Sequence, residues 1–293
     1  MRRFFILLFF LGILISISGC LAEENYPEEL IKYCFLYEEN NQKYFLDDGE
    51  VFIDKQEIGR TNNGCIKINE NQCKNYNSGK LILIPDKINK FDYPLGSQEN
   101  INPCESINII IPQDYIDTFN ELSFAQPYVE NIVLKDDFIR KNAIELVKDC
   151  ESGDKTCEID SIYKSVITNL KYISDPRNAE NIQTPQETLE LKAGDCEDLT
   201  AVLNSYLENI GIKTYIVLTN NHAYSLACGV DLDEARANYI PIGQSSIYYN
   251  ISDENCLVLD ATAGKNGYIG YGENIKDKKI AIDPVNYEIV NLL

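Results

Sequence analysis

One histidine, His222, serves the whole chain of 293 residues. A lone imidazole cannot build a multi-histidine metal site, but it can act as the single base beside a thiol. A cysteine lies upstream, in Gly194-Asp195-Cys196-Glu197-Asp198, and an aspartate downstream, in Leu257-Val258-Leu259-Asp260-Ala261-Thr262. Cysteine, histidine and aspartate, in that order and on separate elements, are the parts of a thiol-based acyl-transfer relay. The thiolate attacks a carbonyl, the imidazole delivers a proton to the leaving amine, and the carboxylate holds the ring in one tautomer. The candidate catalytic residues are therefore Cys196, His222 and Asp260.

Positioning them requires a helix and a sheet. Leu199, Val202, Leu203, Tyr206, Leu207 and Ile210 form one apolar stripe at helical spacing, with Asp195 as N-cap and Gly211 as the C-terminal stop. Cys196 shares the face of Leu199 and Leu203, so it projects into the domain. A helix N-terminus and a neighbouring imidazolium both lower a thiol pKa. The nearby Asp195, Glu197 and Asp198 oppose this unless their carboxylates turn to backbone amides or solvent, which is the expectation. Strands are predicted over 213–218, 222–230, 257–262 and 279–283, with 231–255 as an insertion near the site. Opposing Cys228 to Cys256 makes Asp260 face Tyr224, with His222 as its diagonal neighbour; opposing His222 directly to Asp260 makes that disulfide diagonal and too long. Two amphipathic helices precede this core, near 138–150 and 159–170, followed by a polar surface crossing to Thr188.

The run Pro185-Gln186-Glu187-Thr188-Leu189, Gly194-Asp195-Cys196-Glu197-Asp198-Leu199, Gly211-Ile212, Asn221-His222-Ala223-Tyr224 and Leu259-Asp260-Ala261-Thr262 resembles the prokaryotic transglutaminase-like superfamily in order, spacing and element type. The resemblance covers roughly residues 130–265. It implies an α+β class with a papain-like core, the cysteine helix packed on an antiparallel sheet. It also implies acyl transfer or hydrolysis at peptide or glutamine amides, with Cys196 as nucleophile, His222 as base and Asp260 as its orienter. Several family members use an upstream tryptophan to help hold the oxyanion, and this chain has none. The backbone N–H of Cys196 is one replacement donor; Tyr172 and Gln183 are candidates for another.

Ahead of this half the pattern is β. Short strands punctuated by Asp47-Asp48-Gly49 and Asn62-Asn63-Gly64 predict a small β domain over 43–117, similar to the small β-sandwich modules of extracellular proteins, with the enzyme-like domain over 118–293. At the start, Arg2 and Arg3 precede an apolar run from Phe4 to Ile17, then Ser18, Gly19 and Cys20. This reads as a signal peptide over 1–19. Ile17-Ser18-Gly19-Cys20 resembles a lipobox, which implies lipidation of Cys20, a tether over 20–42 and a location on the outer face of the cell membrane.

Ten cysteines are present. Setting aside Cys20 and Cys196 leaves eight, an even number that fits disulfides outside the cytosol. Spacing points to Cys65 with Cys73 and Cys150 with Cys157; Cys228 and Cys256 lie on the two strands expected to carry His222 and Asp260 and can also meet, which leaves Cys34 for Cys104. No C-x-x-C pair supports a zinc site and no loop has EF-hand spacing, so neither metal nor cofactor is expected. The formal net charge of −20 excludes a nucleic-acid partner, because little would neutralise phosphates. The expected partners are a peptide or protein substrate and, through the N-terminus, the membrane. The competing reading is a catalytically idle member of the same fold, serving as a binding or assembly module.

Overall fold

The computed structural model describes residues 30–46, 48–91, 93–175, 181–219, 222–272 and 279–292. The predicted signal peptide, the lipidation residue Cys20 and Asp47 lie outside these. Within the expected tether the chain instead forms a core strand. In β1, Leu30–Glu39, Ile31, Tyr33 and Phe35 alternate inward and are buried, which is strand and not linker patterning. The following elements are β2 (Gln42–Phe45), β3 (Gly49–Ile53), β4 (Gln56–Arg60), β5 (Cys65–Asn69), α1 (Glu70–Cys73), β6 (Gly79–Pro85), β7 (Leu95–Ile101) and β8 (Ile107–Ile110). One sheet centres on β1, which pairs antiparallel with β2 and β5 and parallel with β8. The other is antiparallel in the order β4-β3-β6-β7. Tyr33, Phe35, Ile66 and Ile68 from the first meet Val51, Leu81 and Leu83 from the second in one core, so the expected sandwich is present.

Two expected disulfides in this half are corrected. The bonds are Cys34–Cys65 and Cys73–Cys104, not Cys65–Cys73 and Cys34–Cys104. The β1–β5 register sets Cys34 directly opposite Cys65. These two cluster with Leu36 on the outer face of the sheet. After β5, Asn69 and Gln72 form a capping box that starts α1 and carries Cys73 into the sandwich core. The sheet therefore separates Cys65 from Cys73, despite their closeness in sequence.

The expected boundary near 117 falls inside a helix. Residues 113–130 form α2 (Gln113–Glu130), whose Ile116, Phe119 and Leu122 are buried in the sandwich core. The same apolar cluster takes in Ala201, Ile216, Ile280 and Ile282 from the second half, so one core runs through both.

The second half comprises α3 (Asp137–Leu146), α4 (Lys155–Asn169), β9 (Lys171–Tyr172), α5 (Pro185–Leu191), β10 (Ala193–Gly194) and α6 (Cys196–Asn209), then β11 (Thr214–Leu218), β12 (Ala223–Cys228), β13 (Tyr248–Ile251), β14 (Glu254–Leu259), β15 (Lys279–Ile282) and β16 (Ile289–Leu292). Helix α5 occupies part of the expected surface crossing. Pro185 at its start and the Thr184–Glu187 capping box nucleate it in a polar sequence. The last six strands form an antiparallel sheet in the order β13-β14-β12-β11-β15-β16, with α6 packed on β11 and β12. The class is thus mixed α+β with antiparallel sheets. Polar groups on α6 hold the chain that leaves α2: Val133 N donates to Ser205 Oγ at 2.9 Å, and Asp136 N to Asn209 Oδ1 at 3.0 Å.

Candidate active site

Cys196 is the first residue of α6, and Asp195 is its extended N-cap. Asp198, almost wholly buried, ties the helix start to its surroundings. Its carboxylate accepts from Gln183 N at 2.9 Å and Asp195 N at 3.3 Å. Gly194 permits this approach, since a Cβ there would lie 2.6 Å from Asp198 Cβ. Burial pushes the Asp198 carboxyl up to about 6, although the Gln183 N–H pulls it down. Gly211, at φ +86°, supplies the left-handed residue after α6.

Strand register places the other two groups. Cys228 pairs with Cys256 and Ser225 with Leu259 in the β12–β14 ladder, and the Cys228–Cys256 bond is formed. This is the diagonal register of the two expected from the sequence. His222 stands just before β12 and Asp260 just after β14, and His222 Nε2 lies 3.2 Å from Asp260 Oδ2. The other carboxylate oxygen of Asp260 accepts from Thr262 Oγ1 at 2.7 Å and Thr262 N at 3.0 Å. Tyr163 on α4 donates to the Asp260 carbonyl at 2.9 Å. Burial raises the Asp260 carboxyl, but the His222 hydrogen bond and charge, with the Thr262 bonds, bring it net below the usual carboxylate range. The Asp260 carboxylate is therefore ionised at neutral pH and held by His222 and by the Thr262 hydroxyl and N–H.

Cys196 and His222 line one cleft, together with Asp195, Glu197, Tyr172 and Phe124. Cys196 is the free cysteine among the described residues. In this conformation its hydrogen bond goes to Glu197 and not to the imidazole: Sγ donates to Glu197 Oε2 at 2.9 Å. Burial, then the Glu197 hydrogen bond and charge, push the thiol up to about 12; a backbone hydrogen bond from Ala223, the residue after His222, acts in the opposite sense. The expectation that the carboxylates turn away from the sulfur holds for Asp198 and fails for Glu197. A glutamate one residue on in a first helical turn has the reach to fold back over the preceding side chain. Nothing in the local sequence selects that rotamer over a solvent-facing one.

Of the two candidate oxyanion donors, Tyr172 reaches the cleft wall. Gln183 is absent from that wall, and its Oε1 is a buried atom with no hydrogen-bond partner. The sequence reading missed the contribution of α2. Phe124 and Tyr128, one helical turn apart with ring centroids 5.0 Å from each other, both face the cleft. Their signal is the (i, i+4) aromatic pair Phe124 and Tyr128, just beyond the expected boundary near 117.

The transglutaminase-like superfamily model matches residues 144–240, a span that holds Cys196 and His222 but stops short of Asp260. No curated protein matches the chain. Among solved structures, a Cytophaga hutchinsonii protein provisionally named a cysteine protease is 14% identical, over 57% of this chain and 52% of its own, with a TM-score of 0.31. The chain thus spans only about half of that relative's length. Calcium-bound LapG from Legionella pneumophila is 15% identical, over 49% of this chain and 83% of its own, with a TM-score of 0.27. The matched span takes in the helix that bears Cys196 and the strand that follows His222, so residues 144–240 are similar to the transglutaminase-like superfamily.

Proposed function

We propose that the protein is a cysteine enzyme of the cell exterior that cleaves or transfers acyl groups at peptide or glutamine amides, with Cys196 as nucleophile, His222 as general base and acid, and Asp260 as orienter. The supporting observation is that Cys196 and His222 share a cleft while Asp260 holds His222 Nε2 at 3.2 Å. With Nε2 engaged, Nδ1 is the nitrogen left for the thiol proton. The sulfur, released from Glu197, passes its proton to Nδ1 and bonds to the amide carbon. The developing oxyanion takes the Cys196 N–H at the start of α6, with the Tyr172 hydroxyl as a second donor. The imidazolium then protonates the leaving amine, and water or an incoming amine resolves the thioester.

Iodoacetamide labelling of Cys196, followed by mass spectrometry between pH 6 and 9, tests this. His222→Ala should slow turnover of a quenched peptide amide by about 10²–10⁴-fold and remove the labelling that depends on the imidazole. Equal labelling in the wild type and in His222→Ala at every pH would overturn the assignment. One observation favours the idle-fold reading: a buried thiol bonded to a carboxylate and pushed up to about 12 is a poor nucleophile. Under that reading Cys196 stays unreactive even when Glu197 is replaced.

The anchoring proposal is lipidation of Cys20. Four disulfides support a compartment outside the cytosol, and the apolar segment with Ser18-Gly19-Cys20 supports the attachment site. Among the described residues no helix is long and apolar enough to cross a membrane. Cys20→Ala should release the protein from the membrane fraction; unchanged retention would overturn the lipid assignment.

A further inference from the structure

A second groove continues the cleft on the α2 side. It is floored by Ile280 and Ile282, both buried, and walled by Ala125 and Phe124, with Asn120 and Glu121 at its far end. Phe124, Leu218 and Thr219 line both the groove and the cleft, so the two share one wall. Phe124 is 57% exposed, unusually open for an aromatic side chain with so much apolar surface beside it. We propose that this groove binds an apolar side chain of an extended peptide whose backbone runs on into the Cys196 cleft. The inference rests on the catalytic reading above and names a substrate determinant for it: a leucine-sized residue within a few positions of the reacting amide.

Three features select this occupant. Continuity is the first, because a chain seated in the groove is led past Phe124 to the thiol. Chemistry is the second: aliphatic floor and aromatic wall take a branched apolar side chain and leave no buried cation to meet a charged one. Charge is the third. Asp195 and Glu197 line the cleft and Glu121 the groove, while neither lining includes a lysine or arginine. A second copy of a chain carrying −20 is repelled from such a surface, whereas a peptide with neutral flanks is not repelled and one with basic flanks is drawn to it.

The helix that builds the wall does not belong to the family-matched span. The matched residues begin at 144, whereas Phe124 and Ala125 lie on α2, which is packed into the sandwich core. The sandwich half thus sets specificity by holding α2 in place.

The probe is a glycine–serine hexapeptide amide carrying one diazirine analogue of leucine. It is irradiated with the full-length protein and with its Cys196→Ala variant, and adducts are mapped by mass spectrometry. Adducts are expected on peptides covering 113–130 and 279–282. An excess of the leucine hexapeptide should reduce them about tenfold, and the serine counterpart should not. Asn120→Trp, an exposed substitution that fills the far end, should reduce labelling similarly while leaving iodoacetamide reaction at Cys196 unchanged. Phe124→Ala, which opens the wall, should also weaken it. Adducts scattered elsewhere, or equal competition by the serine peptide, overturn the proposal. So does a change of sedimentation in Asn120→Trp without loss of labelling, which would make the groove a contact between copies. Groove adducts on a chain whose Cys196 proves inert would retain the binding site and reject the catalytic reading, so the two failures are distinguishable.

Discussion

Two of the four disulfides fasten the sandwich and two fasten the half that carries Cys196, and they do different jobs. In the sandwich, Cys34–Cys65 and Cys73–Cys104 each span 31 residues and lie on opposite faces of one sheet. They tie strands and a helix that meet only through topology. In the second half, Cys150–Cys157 closes the short connection between α3 and α4, and Cys228–Cys256 bonds residues already facing each other in the ladder that ends one residue before Asp260. The sandwich is thus stapled as a body. In the second half one staple, Cys228–Cys256, sits where a shift of register would move Asp260 away from His222.

The sharpest way to break this contrast is to ask whether the halves are separate at all. Leu122 on α2 is wholly buried in the core common to both. Leu122→Ala should cost about 4 kcal/mol, the upper part of the range for a fully enclosed leucine. Denaturant unfolding should show one transition, shifted equally for probes in either half. A shift confined to sandwich probes would mean that α2 belongs to that half alone. Next in size are the staples themselves. By loop closure, removing Cys73–Cys104 as a double serine variant should cost about 3.7 kcal/mol, and removing Cys150–Cys157, with a separation of 7, about 2.4 kcal/mol. Urea titrations of the two variants decide the order. A reversed order would show that the short staple holds more than its own loop.

The same contrast explains what could be read from the chain. Cys228–Cys256 was legible because four residues had to agree on one antiparallel register, and only the diagonal one joined the cysteines while bringing Asp260 to His222. Cys150–Cys157 was legible because few geometries serve a separation that short. The sandwich pairs were not, because proximity in sequence favoured Cys65–Cys73 and only the sheet face, fixed by β1, forbids it. β1 itself was hidden by its position, directly after a polar stretch that reads as a tether, although Ile31, Tyr33 and Phe35 already alternate. α2 was hidden for a different reason: the expected boundary near 117 falls inside it and divides an apolar face that is buried in one continuous core. α5 has a polar sequence, and its capping box was the overlooked signal. At the site, residue types and order identified Cys196, His222 and Asp260 as the groups to place. The rotamer of Glu197 depends on packing that no local pattern encodes, and the aromatic wall from α2 left only its (i, i+4) pair as a trace.

The smallest predicted effect is also the most specific to one half, because the sandwich cysteines are bonded and give no thiol signal. Glu197 contributes to the Cys196 shift through both its hydrogen bond and its charge, after burial, which is the larger cause. A thiol at about 12 is neutral across the physiological range, so wild-type labelling in the state bonded to Glu197 should climb steadily from pH 7 to 10 without a plateau. Glu197→Gln removes the charge and keeps an acceptor. Because a neighbouring anion disfavours the thiolate, its loss must lower the pKa and raise the reactive fraction at any pH below it. A fall of one unit, about 1.4 kcal/mol, gives about tenfold faster labelling at pH 8. Burial persists in the variant, so a full return to an ordinary thiol is not expected. Glu197→Ala, which removes the acceptor as well, should move the rate further in the same direction. A rate unchanged in both would assign the whole shift to burial, and Glu197 would then have no hold on the Cys196 thiol.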